Sequence, residues 1–538
     1  MREKYKFEIF VYLILFCGIF LIYGRSLNYP FIWDDLISIS QNPNFGNEIY
    51  IKELINGHFF DAGVPFKMNP KMGFYRPIVG ISYVLNSKLG KTPFSFRIVN
   101  LFIHFFNALM LYVLIKRFGV NKIYSFLISL LFAVHPVATG SVVYISGRTD
   151  LLKTFFGLLS ILSYMDRKYL STFIFVIFSI LSKEDGIMFP FVFVLLDLYR
   201  KDISKKSFIF PIISFLYLLF RKYVLHFITA DINTNISYLG TVFKSFFIYL
   251  RIYLFPYDIH FEKFYPLLKS NAESLFWIFV FVIFYGFLFV FSAQKRKPVF
   301  FLLIATFLFI PVANFFPIYP EYAKRYIFLA DHFLYLPGVF IILYIISFIS
   351  EKYKRVAILV MMIYIAVFSL ISYSEIKNWK DPETFYNVII KKSHFPLRAY
   401  NNLAAIYARD GDDRCLYYLD KMKKIMNKNY IYYYILQANW YYFRKHNIKK
   451  AIEVFEDALR NNVRAPLILV SLGDLYYEYG DYEKSAFYYE KWIKILKLNN
   501  PNLFYKLAKI YKKAGNEKKY NYYLNKYKNL QKCNHFVK

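Results

Sequence analysis

The sequence is poor in cysteine and in acidic residues. Its three cysteines, Cys17, Cys415 and Cys533, lie far apart and have neither metal-site nor redox spacing, so they give no information about the compartment. Only 36 Asp and Glu stand against 68 Lys and Arg, a formal net charge of +32 at pH 7. The basic residues form many short clusters, and the sequence contains no nucleic-acid-binding module. We therefore attribute the charge to membrane topology and surface solvation, and we expect no nucleic-acid partner.

Apolar sequence, in contrast, is abundant. Hydrophobic residues make up 57% of the 538 residues, and they come in long runs. The first run, residues 7–23, follows Arg2, Lys4 and Lys6. It is too long for a cleaved signal peptide and lacks a small-residue cleavage site, so we interpret it as a retained first span with a cytoplasmic N-terminus. The sequence thus predicts an integral membrane protein of the all-α class, built as a polytopic helical bundle.

We predict a membrane domain at residues 1–375 with about eleven crossings and a long outer loop at 25–97. Two consecutive apolar runs are shorter than the roughly 20 residues that a full crossing needs. They form either two short spans or one re-entrant hairpin, and in both cases the turn Ser182-Lys183-Glu184-Asp185 is recessed in the bilayer. The predicted spans are 7–23, 98–115, 123–143, 151–165, 169–181, 186–199, 207–227, 275–291, 299–316, 333–349 and 356–373.

The run at 238–255 is counted as an interfacial helix. Lys244 and Arg251 lie seven residues apart and so on one helical face. Each would cost roughly 2.5–3.5 kcal/mol at the centre of a bilayer. A helix lying in the membrane interface avoids that cost, although a span remains the alternative. With this assignment the C-terminal part of the chain lies outside, on the same side as the loop at 25–97.

Residues 376–538 are polar and contain a repeat of 34 or 35 residues. A small residue, a tyrosine and a glycine or its substitute recur at fixed spacing, which is typical of paired helices in tetratricopeptide repeats. We predict an α-solenoid of about four repeats that binds peptides or partner proteins. The recurring positions are Leu403-Ala404, Tyr407 and Gly411; Ala438-Asn439, Tyr442 and His446; Leu472-Gly473, Tyr476 and Gly480; and Leu507-Ala508, Tyr511 and Gly515.

Asp34 and Asp35 lie just beyond the first span, at its outer end. One carboxylate could accept a proton from an attacking hydroxyl while the other orients the acceptor or a metal ion. A helix cap or a solvated turn is the alternative for an isolated pair of this kind.

Further polar candidates occur in or beside the outer ends of the predicted spans. His104 and His135 are intramembrane polar groups, which suits either a functional role or hydrogen bonding between helices. The recessed Lys183 could bind a lipid-linked phosphate while Glu184 holds it, or the two could neutralise each other in a turn. Arg148 and Arg325 suit either phosphate binding or anchoring at lipid headgroups, and Asp150 follows Arg148 closely. All of these residues lie on the side where the repeats emerge.

The ordered set of motifs resembles the transmembrane and tetratricopeptide repeat-containing protein O-mannosyltransferases and their bacterial relatives among the C-type glycosyltransferases. The motifs run in the family's order and, with the repeats, cover nearly the whole chain. They are Phe31-Ile32-Trp33-Asp34-Asp35 with Asn42-Pro43, Tyr75-Arg76-Pro77, Asn100 with His104 and Asn107-Ala108, Phe132-Ala133-Val134-His135-Pro136-Val137, Gly147-Arg148-Thr149-Asp150-Leu151-Leu152, Ser182-Lys183-Glu184 and Arg325-Tyr326.

The resemblance implies a C-type glycosyltransferase fold and an inverting transfer of a sugar, mannose or another hexose, from a polyprenyl-phosphate donor to a hydroxyl of a protein. Asp34 or Asp35 would take the acceptor proton. Substrate and lipid-phosphate binding would involve Arg76, His104, His135, Arg148, Asp150, Lys183, Glu184 and Arg325. A divalent metal, Mg²⁺ or Mn²⁺, is left open, with Asp35 and Asp150 as candidate ligands.

This interpretation expects a bacterial inner-membrane protein with its active site and repeats on the extracytoplasmic side. The partners would be a polyprenyl-phosphate sugar, a protein acceptor held by the repeats, and membrane lipid. Two alternatives stay open: transfer to lipid A or another envelope glycan, and a non-catalytic membrane scaffold whose repeats serve assembly.

Overall fold

The computed structural model describes residues 2–57, 59, 62, 74–226, 233–319, 322–463, 465–496 and 500–535. It divides into two compact units, Met1–Phe395 and Pro396–Lys538, which are described separately. Residues 58, 60, 61 and 63–73 of the predicted outer loop lie outside the described residues. Helices make up most of the described residues, which confirms the all-α class, and two short strands pair as a small antiparallel sheet.

The first unit contains sixteen α-helices among the described residues. Several of them begin with a Ser, Thr, Asp or Asn cap, and several have proline in the first turn, where its missing N–H leaves no donor unpaired. Thr92 caps the longest helix in this way, and Pro93 follows it. The helices are α1 Arg2–Tyr23, α2 Glu48–Ile55, α3 Pro77–Ser87, α4 Pro93–Arg117, α5 Lys122–Val134, α6 Thr139–Val142, α7 Arg148–Met165, α8 Tyr169–Ser182, α9 Phe189–Arg200, α10 Phe210–Tyr223, α11 Ile236–Leu254, α12 Asn271–Ser292, α13 Arg296–Phe309, α14 Pro337–Ile346, α15 Lys354–Glu375 and α16 Pro382–Lys392.

Among the described residues, four helices are long and apolar enough to cross a membrane. A bent pair, α5 with Pro136–Val142, would add a fifth, and it bends by 49° where His135 precedes Pro136. The other predicted spans are helices that are shorter or carry more charge, so the count of eleven stays a prediction. The four segments are Lys6–Ser26, Pro93–Arg117, Asn271–Ser292 and Glu351–Trp379.

The two short apolar runs form separate helices, α8 and α9. Between them Lys183 is extended, and a 3-10 helix follows at Glu184–Met188. The predicted break at the Lys-Glu-Asp turn is therefore present. The run at 238–255 is the helix α11, and its position relative to a membrane stays a prediction.

Loops and short helices of the first unit are folded against its longer helices. Tyr50 and Leu54 of α2 pack with Val79 and Tyr83 of α3 and with Phe96 of α4 in one buried cluster. A second feature is a two-stranded antiparallel sheet of β1 (Lys263–Pro266) and β2 (Tyr326–Leu329), in which Lys263 faces Leu329 and Pro266 faces Tyr326. These contacts give the polar loops fixed positions, which a functional site built from loops requires.

The second unit consists of four successive helix pairs. In each pair a residue with positive φ lies between the two helices: Gly411, His446, Gly480 or Gly515. In the second pair a π-helix, Trp440–Arg444, extends α19 before His446. Glycine is favoured there because it has no Cβ to clash in the left-handed conformation, and His446 adopts the same region in the second pair. The identification as a tetratricopeptide array stays a prediction. The helices are α17 Leu397–Asp410, α18 Arg414–Ile425, α19 Ile431–Asn439, α20 Ile448–Arg460, α21 Pro466–Tyr479, α22 Tyr482–Leu496, α23 Pro501–Lys513 and α24 Glu517–His535.

Candidate active site

The aspartate pair lies in a turn after α1 and is held by the loop that precedes α7. Trp33 has a φ of +60°, which is uncommon for a residue other than glycine and is found where surrounding contacts hold the backbone. The half-buried Asp34 accepts a hydrogen bond at its Oδ2 from the Tyr144 hydroxyl at 2.9 Å. The fully buried Asp35 accepts two bonds at its Oδ1, from the backbone N–H of Ser146 at 2.9 Å and from its hydroxyl at 2.6 Å. The two neighbouring carboxylates therefore have different environments.

These environments shift the proton affinities of the groups around the turn. Burial raises the pKa of Asp35 to about 6, against the opposing effects of Ser146 and of the charge on Arg97. Burial, with Asp34 next in importance, raises the pKa of Tyr144, so its phenol stays protonated and donates to Asp34. Asp34 is thus the more accessible of the two carboxylates.

Arg97, at the start of α4, fixes this turn, and the sequence analysis missed it. Its Nε donates to the Val143 carbonyl at 2.8 Å, its Nη2 donates to the Pro30 carbonyl at 2.7 Å, and its Nη1 donates to the Tyr29 carbonyl. One buried guanidinium therefore ties the segment before the aspartates to the loop before α7. The sequence predicted that Arg97 ends a polar loop beside an apolar run. An arginine at such a position is equally typical of anchoring at lipid headgroups, so the sequence does not reveal its bonds to backbone carbonyls.

A second group of charges is buried where α7 meets α8. Oδ1 of Asp150 accepts from Lys183 Nζ at 2.7 Å and from Lys153 Nζ at 3.1 Å. Lys153 also reaches Oδ2 of Asp185 at 2.6 Å. Two carboxylates thus alternate with two ammonium groups in one chain of contacts. Lys153 and Asp185 were absent from the predicted site, because a lone lysine within an apolar helix does not reveal its partner.

Arg76 and Glu184 form a third buried contact. The guanidinium binds the carboxylate through two nitrogens: Nη2 lies 2.8 Å from Oε2, and Nε lies 3.2 Å from both carboxylate oxygens. Arg221 of α10, which the sequence analysis also missed, approaches Glu184 at 3.6 Å. The charge of Arg76 also acts on Asp150 and Asp185. Together the second and third groups hold four cations and three carboxylates, so they carry one surplus positive charge.

One short segment connects the aspartate pair with these charges. Tyr144 and Ser146 hold the two aspartates, and Asp150, six residues after Tyr144, holds the two lysines. Residues 145–147 form a 3-10 helix that runs directly into α7. At about 1.5–2 Å per residue, the backbone at Tyr144 and at Asp150 is separated by roughly 10 Å.

Arg148 lies within the same segment but points into the protein core. Its Nε donates to Asn100 Oδ1 at 2.7 Å, and its Nη2 donates at 2.7 Å to Asn86 Oδ1 and to the Phe96 carbonyl. The guanidinium is fully buried and lies over the Tyr83 ring, 4.9 Å from its centre. This arrangement gives Arg148 the geometry of a structural residue.

The other predicted residues lie outside this group. His104 contacts the Tyr335 hydroxyl at 2.7 Å and the Ala133 carbonyl at 3.0 Å, so both ring nitrogens have partners. His135 contacts the Tyr253 carbonyl at 3.0 Å and accepts from the backbone N–H of Val137. Both histidines are buried between helices. Arg325 is exposed at the start of β2.

The candidate metal ligands do not fit a divalent ion as they are arranged. Asp150 shares its Oδ1 with two ammonium groups, which occupy the positions that a cation would take. Among the described residues, no cluster of three or more His, Cys, Asp or Glu side chains has the geometry to hold a metal ion.

No family model matches the chain. It is 29% identical over 195 residues to Protein O-mannosyl-transferase F38B6.6 of Caenorhabditis elegans, covering 35% of this chain and 28% of the relative. It is 38% identical over 147 residues to Protein O-mannosyl-transferase TMTC1 of Mus musculus, covering 27% of this chain and 15% of the relative. Protein O-mannosyl-transferase TMTC3 of Homo sapiens is 33% identical over 147 residues, covering 27% of this chain and 16% of the relative.

The matched segments therefore span between about a seventh and just over a quarter of the length of these relatives. All three relatives carry the name protein O-mannosyl-transferase, which is the family that the motifs of this sequence resemble. The resemblance is confirmed: over about a quarter to a third of its length, the chain is similar to protein O-mannosyl-transferases of the TMTC type.

Proposed function

We propose that this chain is an integral membrane glycosyltransferase that moves mannose or another hexose from a polyprenyl-phosphate donor to a hydroxyl of a protein acceptor. The names of the similar proteins support a glycosyltransferase that acts on proteins. The apolar helices support a membrane location. The reaction takes place on the extracytoplasmic side of a bacterial inner membrane, and the helix pairs of the second unit bind the acceptor or a partner.

The observation that carries this proposal is the short segment 144–150. It holds a half-buried carboxylate at one end, through the Tyr144 hydroxyl, and at the other end, through Asp150, the buried ammonium groups of Lys183 and Lys153. The charge of Arg76 also acts on Asp150. A transfer from a phosphate-linked sugar to a hydroxyl needs these two parts on opposite sides of the anomeric carbon. A backbone separation of roughly 10 Å between Tyr144 and Asp150 is compatible with one hexose bound between the groups that they hold.

Asp34 is the base in this proposal. Its carboxylate takes the proton of the acceptor hydroxyl as the hydroxyl oxygen bonds to the anomeric carbon. Asp35 is unsuited to that role because Ser146 donates two hydrogen bonds to its Oδ1 and the whole side chain is buried. Asp35 instead fixes the turn that presents Asp34.

The cations act on the leaving group. As the bond between the anomeric carbon and the phosphate oxygen breaks, that oxygen keeps the electron pair and the polyprenyl phosphate gains a second negative charge. Lys183 and Arg76 stabilise this charge, since buried cations interact strongly with a developing anion. Asp150 and Glu184 hold the two cations in place, and the surplus positive charge matches the single charge of the intact donor. Attack opposite the leaving oxygen inverts the anomeric configuration.

Arg148, His104 and His135 have structural roles in this scheme. Each makes its hydrogen bonds to other buried groups, and together they position α4, α5 and α7. The exposed Arg325 lies outside the transfer step.

The proposal is tested with the purified full-length protein in lipid nanodiscs, supplied with radiolabelled polyprenyl-phosphate mannose. Label on hydroxyl-containing acceptor peptides supports it. Label on lipid A alone would overturn the protein acceptor, and a protein that neither binds nor consumes the donor would be a scaffold. Mass spectrometry of envelope glycoproteins from cells with and without the chain then identifies the acceptor and the sugar.

A further inference from the structure

His332 lies beside the charged groups and has no role in the scheme above. It follows Asp331 in a 3-10 helix, Asp331–Leu334, that precedes α14. Its half-buried ring stacks on Phe261, with 5.4 Å between ring centres and 20° between ring planes. The sequence analysis gave it no weight, because it is a single histidine in an aromatic stretch.

The surroundings of His332 link the two ends of the proposed site. On one side, the ring of Phe261 packs against the rings of Trp33 and Tyr144, with 5.8 and 5.0 Å between ring centres. Trp33 and Tyr144 are the residues around Asp34. On the other side, the charges of Asp150 and Lys183 act on the imidazole. The next residue, Phe333, lies under the Lys183 ammonium at 5.1 Å. His332 therefore lies between the aspartate turn and the cations.

The His332 imidazole is available for a ligand. Neither ring nitrogen makes a hydrogen bond with any part of the chain that the structure describes. Burial lowers the pKa of His332 to about 3, so at neutral pH the ring is uncharged and carries one N–H donor. A neutral imidazole can donate to a phosphate oxygen without adding to the positive charge already present.

Its backbone is fixed by a buried ion pair. Oδ2 of Asp331 lies 3.2 Å from Lys263 Nζ and accepts from the backbone N–H of His260 at 3.0 Å. Lys263 also donates to the Asp258 carbonyl at 2.5 Å. These contacts hold the segments that carry Phe261 and His332 against each other, so the imidazole is pre-positioned before a ligand binds.

We propose that His332 is a further donor-binding residue, which donates a hydrogen bond to the phosphate of the polyprenyl-phosphate sugar between Lys183 and the aspartate turn. The inference rests on the proposed function, because it identifies a group that contacts the donor of that reaction. The hydrogen bond strengthens as the phosphate gains charge in the transition state, so its loss affects kcat as well as KM.

Three substitutions separate hydrogen bonding from packing. His332→Phe keeps an aromatic ring against Phe261 but has no donor, His332→Asn keeps an N–H donor, and His394→Asn at an exposed position is the control. We expect His332→Phe to lower kcat/KM for polyprenyl-phosphate mannose by roughly 10- to 100-fold. We expect His332→Asn to recover a large part of that loss, and the control to match the unmodified protein.

Binding of sugar-free polyprenyl phosphate in nanodiscs supplies a readout that does not depend on transfer. We expect His332→Phe to weaken this binding several-fold while the melting temperature stays within a few degrees of that of the unmodified protein. If the protein transfers mannose and His332→Phe leaves both kcat/KM and phosphate binding unchanged, the inference is wrong and the proposed function stands. If no mannose is transferred but phosphate binds and His332→Phe weakens it, the donor-phosphate site stands without the reaction. If the protein neither transfers mannose nor binds polyprenyl phosphate, both fail.

Discussion

Ser146 donates both its backbone N–H and its hydroxyl to the same oxygen of Asp35, at 2.9 and 2.6 Å. These two hydrogen bonds hold the Asp35 side chain to the loop before α7. The neighbouring Asp34 accepts a hydrogen bond from the Tyr144 hydroxyl instead. Two adjacent aspartates thus have different hydrogen-bond partners within one short loop. The distinction predicts different responses to the same Asp→Asn substitution.

For Asp35 the expected response is in stability and depends on pH. Its pKa is about 6 in the folded protein, above the 3.8 of an unfolded chain. Between these two pH values the folded state binds more protons than the unfolded state. The contribution of Asp35 to the free energy of unfolding is therefore most favourable below about pH 4 and is lost as the pH rises through 6. Asp35→Asn keeps an oxygen that accepts from Ser146 and removes this dependence.

Relative to the unmodified protein, the free energy of unfolding of Asp35→Asn should therefore increase by about 2 kcal/mol between pH 4 and pH 7.5. Melting temperatures of the two proteins across this range measure the effect. Asp410→Asn, at an exposed position of α17, is the matched control. A constant difference between Asp35→Asn and the unmodified protein across the pH range would contradict the prediction.

Lys153 and Lys183 share Asp150 but should differ in effect. Lys153 lies between two carboxylates, so Lys153→Met leaves Asp150 with one partner and leaves Asp185 without its ammonium. Breaking a buried ion pair costs about 3–5 kcal/mol, and we expect a clear drop in melting temperature. Lys183→Met removes the group that we propose faces the donor phosphate, so it should raise the donor KM at least about tenfold with a smaller loss of stability.

Thermal unfolding and donor titrations of the two variants decide this point. If Lys153→Met and Lys183→Met lower the melting temperature equally and have the same donor KM, the two lysines form one structural unit. The proposed role of Lys183 in donor binding would then be wrong.

Arg148→Lys should act on stability alone. A lysine cannot reproduce the fork that reaches Asn100, Asn86 and the Phe96 carbonyl, so buried acceptors lose their donors. The expected result is a melting temperature several degrees lower, with an unchanged donor KM in the protein that remains folded. A raised donor KM at an unchanged melting temperature would indicate phosphate contact instead.

The helical part of this protein follows from its sequence to a large extent. Long apolar runs bounded by Lys and Arg predicted α1, α4, α12 and α15, because periodicity and length are properties of a single segment. The break between α8 and α9 at Lys183 was predicted for the same reason. The glycines that end the first helices of the second unit were visible as a repeat with fixed spacing.

The site was predictable only in part, because side-chain pairing depends on which segments meet. Asp150 and Lys183 were recognised as candidates, but the pairing of Lys153 with Asp185 joins residues 32 apart on different helices. The sequence left Arg148 open between phosphate binding and headgroup anchoring, yet acceptors on two helices, α3 and α4, surround its guanidinium. Charge alone does not reveal whether an arginine faces a ligand or the core.

Two glycines test the packing of the first unit. A Cβ at Gly157 of α7 would come within 2.0 Å of the Phe189 ring, whereas a Cβ at Gly286 of α12 would meet no atom within 4 Å. Gly157→Ala should therefore force α7 and α9 apart and lower the melting temperature. Gly286→Ala should be neutral or stabilising by up to about 1 kcal/mol, because alanine favours the helix. Thermal unfolding of both variants checks this, and a tolerated Gly157→Ala would contradict the described contact between α7 and Phe189.

The most direct test of the account is the rate of mannose transfer by Asp34→Asn, with Asp35→Asn as the matched control. The purified variants receive polyprenyl-phosphate mannose and an acceptor peptide under identical conditions, and their melting temperatures confirm folding. Loss of a general base typically lowers the rate by about 10²–10⁴-fold, and we expect that loss for Asp34→Asn at an unchanged melting temperature. Asp35→Asn should keep its rate within about tenfold of that of the unmodified protein. An unaffected rate in Asp34→Asn, or a complete loss confined to Asp35→Asn, would contradict the assignment of Asp34 as the base.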